Sequence, residues 1–208
     1  MLKTLFPTNI GIYRNENHLL DKPKILGLVD IDSGERNEMS DLLNHYGQES
    51  KNKGLDLKKV DQFKDWVCSC VKDYVQTGMG LNVESDIIPI NSWLNVCGPG
   101  GKQFPHSHSN SLCCATYYVN FIPNLHSNLF FSKTQHEAHN PYLEFIPNQH
   151  YKVREEINIE EGMLVVWPGH MIHGYNPCMI GDRVSLSMNF MPEVVMGSTY
   201  GFKVSSID

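Results

Sequence analysis

The chain has 208 residues, enough for one full hydrophobic core, so a single domain is the default expectation. Its apolar fraction of 41% is that of an ordinary globular protein, and a net charge of −6 without a basic stripe argues against a nucleic-acid surface. No apolar run approaches the roughly 18 residues that cross a bilayer. The N-terminal MLKTLFPTNIGIYRNEN lacks the apolar core of a signal peptide, so a cytoplasmic protein is expected. The six cysteines (68, 70, 97, 113, 114, 178) show no disulfide framework and no CxxC zinc knuckle. They read as reduced, buried thiols.

Residues 1–35 look irregular, with an edge strand expected over Leu5–Tyr13 across the Pro7-Thr8-Asn9 break. Asn37–Tyr46 carries Met39, Leu42, Leu43 and Tyr46 at helical spacing, and Gly47 can cap that helix. Leu57–Gln76 is the clearest helix. Its stripe of Val60, Phe63, Trp66, Val67, Cys70, Val71 and Tyr74 faces one way, and Gly78 and Gly80 close it. These two helices are expected to buttress the outside of a sheet.

From Asp86 the pattern changes to short runs between turn signals. Ile87–Cys97 is a strand candidate ending at Gly98-Pro99-Gly100-Gly101. Leu112–Ile122 is rich in strand formers. Leu129–Ser132, Tyr151–Ile159, Met163–Trp167, Ile172–Tyr175 and Arg183–Met191 complete the set. Short strands at near-regular spacing predict an antiparallel sandwich or jelly roll. The expected layout is N-terminal support over 1–85, a β core over 86–192 and an extension over 193–208. Phe131–Gln149 reads as a long loop of the kind that forms lids.

Three groups of residues carry chemistry. His106 and His108 flank Ser107, and alternate residues of a strand share a face. Such a pair can ligate one metal, or it can sit solvated in a polar loop. His173 follows an apolar strand and a Pro-Gly break, with His170 as a local competitor. Arg183 and Ser185 share a strand face with Ser187 and Asn189. A guanidinium beside a hydroxyl can hold a carboxylate, or it can pair with Asp182 on the surface. The order HxH, His, then Arg-x-Ser is more specific than any of its parts.

In that order the chain resembles the 2-oxoglutarate- and Fe(II)-dependent oxygenases of the double-stranded β-helix fold. It is most similar to small bacterial and cyanophage members, and more distantly to prolyl hydroxylases. The stretches that carry the resemblance are Trp93-Leu94-Asn95, Pro105–Ser111, Ala115–Asn120, Gly162–Pro168, His173 and Arg183–Phe190. The resemblance implies a mainly β, cupin-like jelly roll with flanking helices. It implies Fe(II) held by His106 and His173, and 2-oxoglutarate held by Arg183 with Ser185 and Tyr118 beside it. Tyr117 would face the core, while Asn95 and Trp93 would line the substrate side. Dioxygen would be the other co-substrate, and hydroxylation the expected outcome.

The chain departs from the broad family at one place: His108 stands where a carboxylate usually completes the triad. The smaller group it resembles also tends to show HxH. Three neutral imidazoles leave Fe(II) its full charge, which should favour the anionic co-substrate. Glu137 and Glu144 in the long loop are alternative third ligands. A cupin-like metal enzyme or metal-binding jelly roll without 2-oxoglutarate, and a non-catalytic module, are the competing readings. The substrate is an unknown small molecule or protein side chain, with no nucleic-acid or membrane partner expected. A homodimer is compatible with such a fold, and a phage-encoded member would work in the host cytoplasm.

Overall fold

Side-chain alternation along the strands governs the architecture of the computed structural model, which describes residues 7–30, 34–36, 40–46, 55–133 and 152–204. The N-terminal part holds β1 (Gly11–Arg14), α1 (His18–Leu26), β2 (Glu35–Arg36) and β3 (Ser40–Tyr46). A 3-10 turn at Leu57–Val60 leads into α2 (Asp61–Asp73), which ends in a π turn at Tyr74–Gly78. Then follow β4 (Ile87–His106), β5 (Cys113–Asn120), β6 (Leu129–Ser132), β7 (Arg154–Ile157) and β8 (Met163–Pro168). The chain continues through β9 (Ile172–Tyr175), β10 (Arg183–Pro192), β11 (Val194–Met196) and β12 (Gly201–Lys203).

The strands pair antiparallel in the order β1-β8-β5-β10-β4-β9-β6-β7, with β3 also on β4. β4 pairs with β10 over its first half and with β9 at its end. The sheet therefore curls over on itself, giving the double-stranded β-helix that the resemblance implied. β11 and β12 form a separate hairpin within the expected C-terminal extension.

One face of the curled sheet meets α2. Val184, Leu186, Met188 and Phe190 of β10 join Cys113, Ala115, Tyr117 and Val119 of β5 in one core with Phe63, Val67, Val71 and Tyr74. The Phe63 and Tyr117 rings lie 4.7 Å apart, tilted by 60°. That arrangement adds aromatic contact energy to the burial of both rings. The Tyr117 hydroxyl also ties in the N-terminal segment, meeting His18 Nδ1 at 2.6 Å and accepting from Asn15 Nδ2 at 3.1 Å. The intervening residues of β5 and β10 point the other way, into the barrel.

Three sequence expectations are corrected here. Ser40–Tyr46 is a strand on β4, not a helix. Its spacing fits either state, because adjacent leucines satisfy both periods, and ladder pairing decides. Met39 and Gly47 lie outside the described residues. Second, Gly98–Gly101 does not end a strand: β4 runs through it to His106. Gly100 sits at φ 77°, a conformation glycine adopts freely, so this segment bends the strand without breaking it. Third, the N-terminal part holds α1 where irregular chain was expected. The edge strand there is real, but it is confined to Gly11–Arg14 on β8. Of the expected long loop, 131–132 belong to β6, and 134–149, with Glu137 and Glu144, lie outside the described residues.

Side chains of β10 and α2 share one core with β5. Leu186 is fully buried in that core. Leu186→Ala is expected to lower unfolding free energy by about 2–5 kcal/mol, the range for a truncated core leucine. A urea midpoint indistinguishable from the parent's would contradict this packing.

Candidate functional site

The inner faces of β4, β5 and β10, with β8 and β9, enclose a cavity of about 350 Å3. His106 is the last residue of β4 and pairs with His173 of β9 in the ladder. His108 lies just beyond, its backbone N–H donating to the Gly169 carbonyl at 2.9 Å. Pairing brings the three histidines together. Each offers one ring nitrogen, and these three atoms all lie within 4.8 Å of one another. The His108 and His173 rings are stacked, with centroids 5.1 Å apart and planes 12° from parallel. His170 is exposed and stands outside the cluster.

Two of the rings are oriented by backbone. His106 Nδ1 lies 2.8 Å from the Phe104 carbonyl, and His173 Nδ1 lies 2.9 Å from the Met171 carbonyl. A carbonyl only accepts, so each Nδ1 carries the proton and each Nε2 keeps its lone pair. That is the tautomer a metal-ligating histidine needs. Burial pulls His173 down to about 3, with the neighbouring His106 adding to it. Burial, then His106, pulls His108 down to about 4, and burial also lowers His106. The cluster is neutral at pH 7 and ready to accept a cation without first losing protons.

Arg183 forms the other pole of the cavity. It is only 1% exposed, and none of the ion pairs among the described residues includes it. Its guanidinium is covered by the Tyr175 ring at 3.8 Å and flanked by Tyr118 at 5.3 Å. Arg183 Nη1 donates to Ser185 Oγ at 3.3 Å, while Nε finds no partner among the described residues. A buried cation without a counter-ion is costly, so this site is built for an anion. The Tyr118 and Tyr175 hydroxyls are also unpartnered. Burial pushes the Tyr118 phenol up to about 12, which keeps it protonated as a donor.

Between the poles the wall is polar and uncharged. Trp93 stacks on His108 with centroids 5.6 Å apart. Asn95 Nδ2 donates to Ser187 Oγ at 3.5 Å, leaving Asn95 Oδ1 unpartnered. Thr116 Oγ1 and Ser187 Oγ are 3.1 Å apart, and the Cys114 thiol donates to Asn189 Oδ1 at 3.2 Å. All eight residues singled out in the sequence line this one cavity: His106, His108, His173, Arg183, Ser185, Tyr118, Asn95 and Trp93. Tyr117 lies in the core on the opposite face.

Among the cavity residues without a role in the sequence analysis, two aromatics stand against the poles of the site. Tyr175 follows His173 by two positions and so shares its face, a signal that was available. Trp167 packs edge-on to His173 at 4.7 Å, with its Nε1 unpartnered. Its place at the end of an apolar run made it look like ordinary core.

The residues fit a divalent metal and a dicarboxylate together. Three neutral imidazoles suit iron and its borderline relatives. The unpaired guanidinium and free phenols at the far end suit a carboxylate.

Comparison with known proteins agrees with the geometry. Residues 91–189 match the family described as "Putative 2OG-Fe(II) oxygenase". Among solved structures, the chain is similar to HygX from Streptomyces hygroscopicus, crystallised with nickel, 2-oxoglutarate and hygromycin B. That likeness has a TM-score of 0.59 at 10% identity, covering 89% of this chain and 83% of that one. A Pseudomonas putida prolyl-4-hydroxylase matches at TM-score 0.53 and 13% identity, covering 88% and 92%. A Trichoplax adhaerens prolyl hydroxylase bound to a hypoxia inducible factor peptide fragment matches at TM-score 0.54 and 12% identity, covering 89% and 84%. At such identities these structures establish the fold. No curated protein sequence matches the chain.

The depressed histidines set a pH dependence. On unfolding, each ring regains its ordinary proton affinity, near pH 6.5. The unfolded chain then binds more protons, so acid favours it. Metal-free protein should hold full stability above pH 6.5 and lose it progressively as pH falls towards 4. Urea midpoints measured at stepped pH check this, and His173→Asn should flatten the slope.

Proposed function

We propose, on the match of residues 91–189 to that family and on the geometry of the cavity, that the chain is a 2-oxoglutarate/Fe(II)-dependent oxygenase that hydroxylates a C–H bond of an organic substrate. His106, His108 and His173 would hold the Fe(II). Arg183, Ser185 and Tyr118 would hold the distal carboxylate of 2-oxoglutarate. With both bound, the site couples oxidative decarboxylation of 2-oxoglutarate by dioxygen to oxidation of the substrate. No side-chain acid or base is required for that chemistry.

The chain's own residues bind, orient and shelter. The Arg183 guanidinium and the Tyr118 hydroxyl fix one end of the co-substrate at a water-poor floor, where charge–charge attraction is strong. Trp93 covers His108 and offers an apolar face to a substrate. The free Asn95 Oδ1 offers an acceptor to a substrate N–H or O–H. The substrate is a small molecule or a protein side chain bearing such a donor. All six cysteines are free thiols, which supports work in the reducing cytoplasm. Among the described residues no helix is long and apolar enough to cross a membrane.

One observation carries the reading. The buried, unpaired Arg183 opens onto the same cavity as the three histidines. A metal enzyme without 2-oxoglutarate has no use for such an anion anchor. The test is an anaerobic titration of the Fe(II)-loaded protein with 2-oxoglutarate, following the weak visible charge-transfer band of the chelate. The band should form in the parent and be lost in Arg183→Ala and in His108→Ala. A band that survives His108→Ala would place the third ligand elsewhere. Bound iron without a band in the parent would favour the cupin-like alternative.

A further inference from the structure

Two of the buried cysteines meet. Cys97 Sγ lies 3.9 Å from Cys178 Sγ, with Cys97 wholly buried and Cys178 3% exposed. Backbone bonds hold them there. Gly100 N–H donates to the Cys178 carbonyl at 2.7 Å, and Cys178 N–H donates to the Gly101 carbonyl at 2.9 Å. The turn that carries Cys178 is therefore clamped to β4 just past Cys97. The adjacent Cys113 and Cys114 make no such pair, because strand alternation sends them to opposite faces.

The position of the pair matters as much as its spacing. Cys97 sits directly opposite Arg183 in the β4–β10 ladder. Tyr175, whose ring covers the Arg183 guanidinium, packs with both thiols in one small cluster. Cys178 has the environment of a reactive thiol. The Cys97 S–H lies against it and lowers it from its ordinary value, burial works the other way, and the Ser127 backbone and the Arg183 charge add to the lowering. The same contact and burial push Cys97 up. One sulfur is a ready nucleophile, and the other is a protonated partner beside it.

We propose that Cys97 and Cys178 form an oxidisable dithiol, converted by hydrogen peroxide to a disulfide that weakens 2-oxoglutarate binding at Arg183. The Cys178 thiolate attacks one peroxide oxygen; the O–O bond breaks and hydroxide leaves. The resulting sulfenic acid is attacked at sulfur by Cys97, which gives up its proton as the S–S bond forms and the S–OH bond breaks. In sum, two thiols and one peroxide give one disulfide and two waters. The sulfurs lose two electrons and the peroxide gains them.

The effect on the co-substrate follows from geometry. A disulfide needs its sulfurs about 2.05 Å apart, far closer than the thiols now stand. Closing that gap draws the 176–182 turn against β4. Tyr175 and Arg183 are the two ends of that turn, so the ring and the guanidinium shift together. A close-packed interior passes such a shift on. This second half of the proposal rests on Arg183 as the co-substrate anchor; the first half does not.

The test oxidises metal-free protein with hydrogen peroxide and maps its peptides under non-reducing conditions. A linked Cys97–Cys178 pair, lighter by two hydrogens, is expected as the dominant product. Calorimetric titration of 2-oxoglutarate into the nickel-loaded protein should then show roughly tenfold weaker binding, an ordinary size for coupling between two sites. Dithiothreitol should restore the affinity, and Cys178→Ser should abolish the peroxide effect. Oxidation that spares this pair and falls on the more accessible Cys68 overturns the dithiol. A linked pair with unchanged affinity overturns the coupling. Reduced protein that binds no 2-oxoglutarate indicts the oxygenase reading alone, because the peptide map stands without it.

Discussion

The antiparallel ladder between β4 and β10 is the constraint on which the site depends. It sets Arg183 against Cys97, Ser185 against Asn95, Ser187 against Trp93 and Asn189 against Asn91. β5 adds Tyr118, Thr116 and Cys114 to the last three of these rungs. The residues in this grid face the cavity or its floor, and Leu94, Val184, Leu186, Met188, Ala115 and Tyr117 between them join the core shared with α2. The period of a strand is two, so a slip of one residue would invert the arrangement. Leu186 and Met188 would then enter the cavity, and Arg183 would be driven into the helix-facing core. The large apolar area buried against α2 therefore fixes the chemistry on the other face as well as the fold.

The site is charged in a way that an isolated protein tolerates poorly. A guanidinium sits at the floor without a carboxylate, and three imidazoles crowd together with their lone pairs unclaimed. The costs are of opposite electrical kind. An anion relieves the first, and a cation relieves the second. A dicarboxylate that also chelates the cation relieves both at once, which is why the two poles of the cavity make physical sense only as a pair. Whatever stability the unpaired groups cost returns as affinity for the ligands that pair with them.

Much of this was legible in the sequence, and the exceptions have physical causes. The run Arg183–Phe190 alternates cleanly, so its polar face could be read directly. The stripe of α2 was equally plain, because its buried residues recur at helical spacing. Helix α1 was missed because its apolar residues do not mark its buried face: Leu19 and Leu20 are 82% and 66% exposed, and Pro23 lies inside the helix. Ser40–Tyr46 was misread because a short segment takes its state from the strand it pairs with. The Gly-Pro-Gly-Gly run at 98–101 reads as a stop because composition does not distinguish a turn from a bend. Only the family resemblance could bring the histidines together, since His106 and His173 meet through a pairing across 67 positions of chain that spacing alone does not show.

That bend in β4 has a further geometric consequence. Asn91, Trp93 and Asn95 lie on one side of it, and His106 lies on the other. One continuous strand thus carries the wall that would grip a substrate and the ligand that would hold the iron. Gly100 N–H donates to the Cys178 carbonyl, so the neighbouring turn bears directly on the bend between the two arms. That angle sets the distance from the grip to the iron. In a catalyst that must choose among several near-equivalent hydrogens, such a distance would act as a molecular ruler, and the β9–β10 turn would bear on its setting.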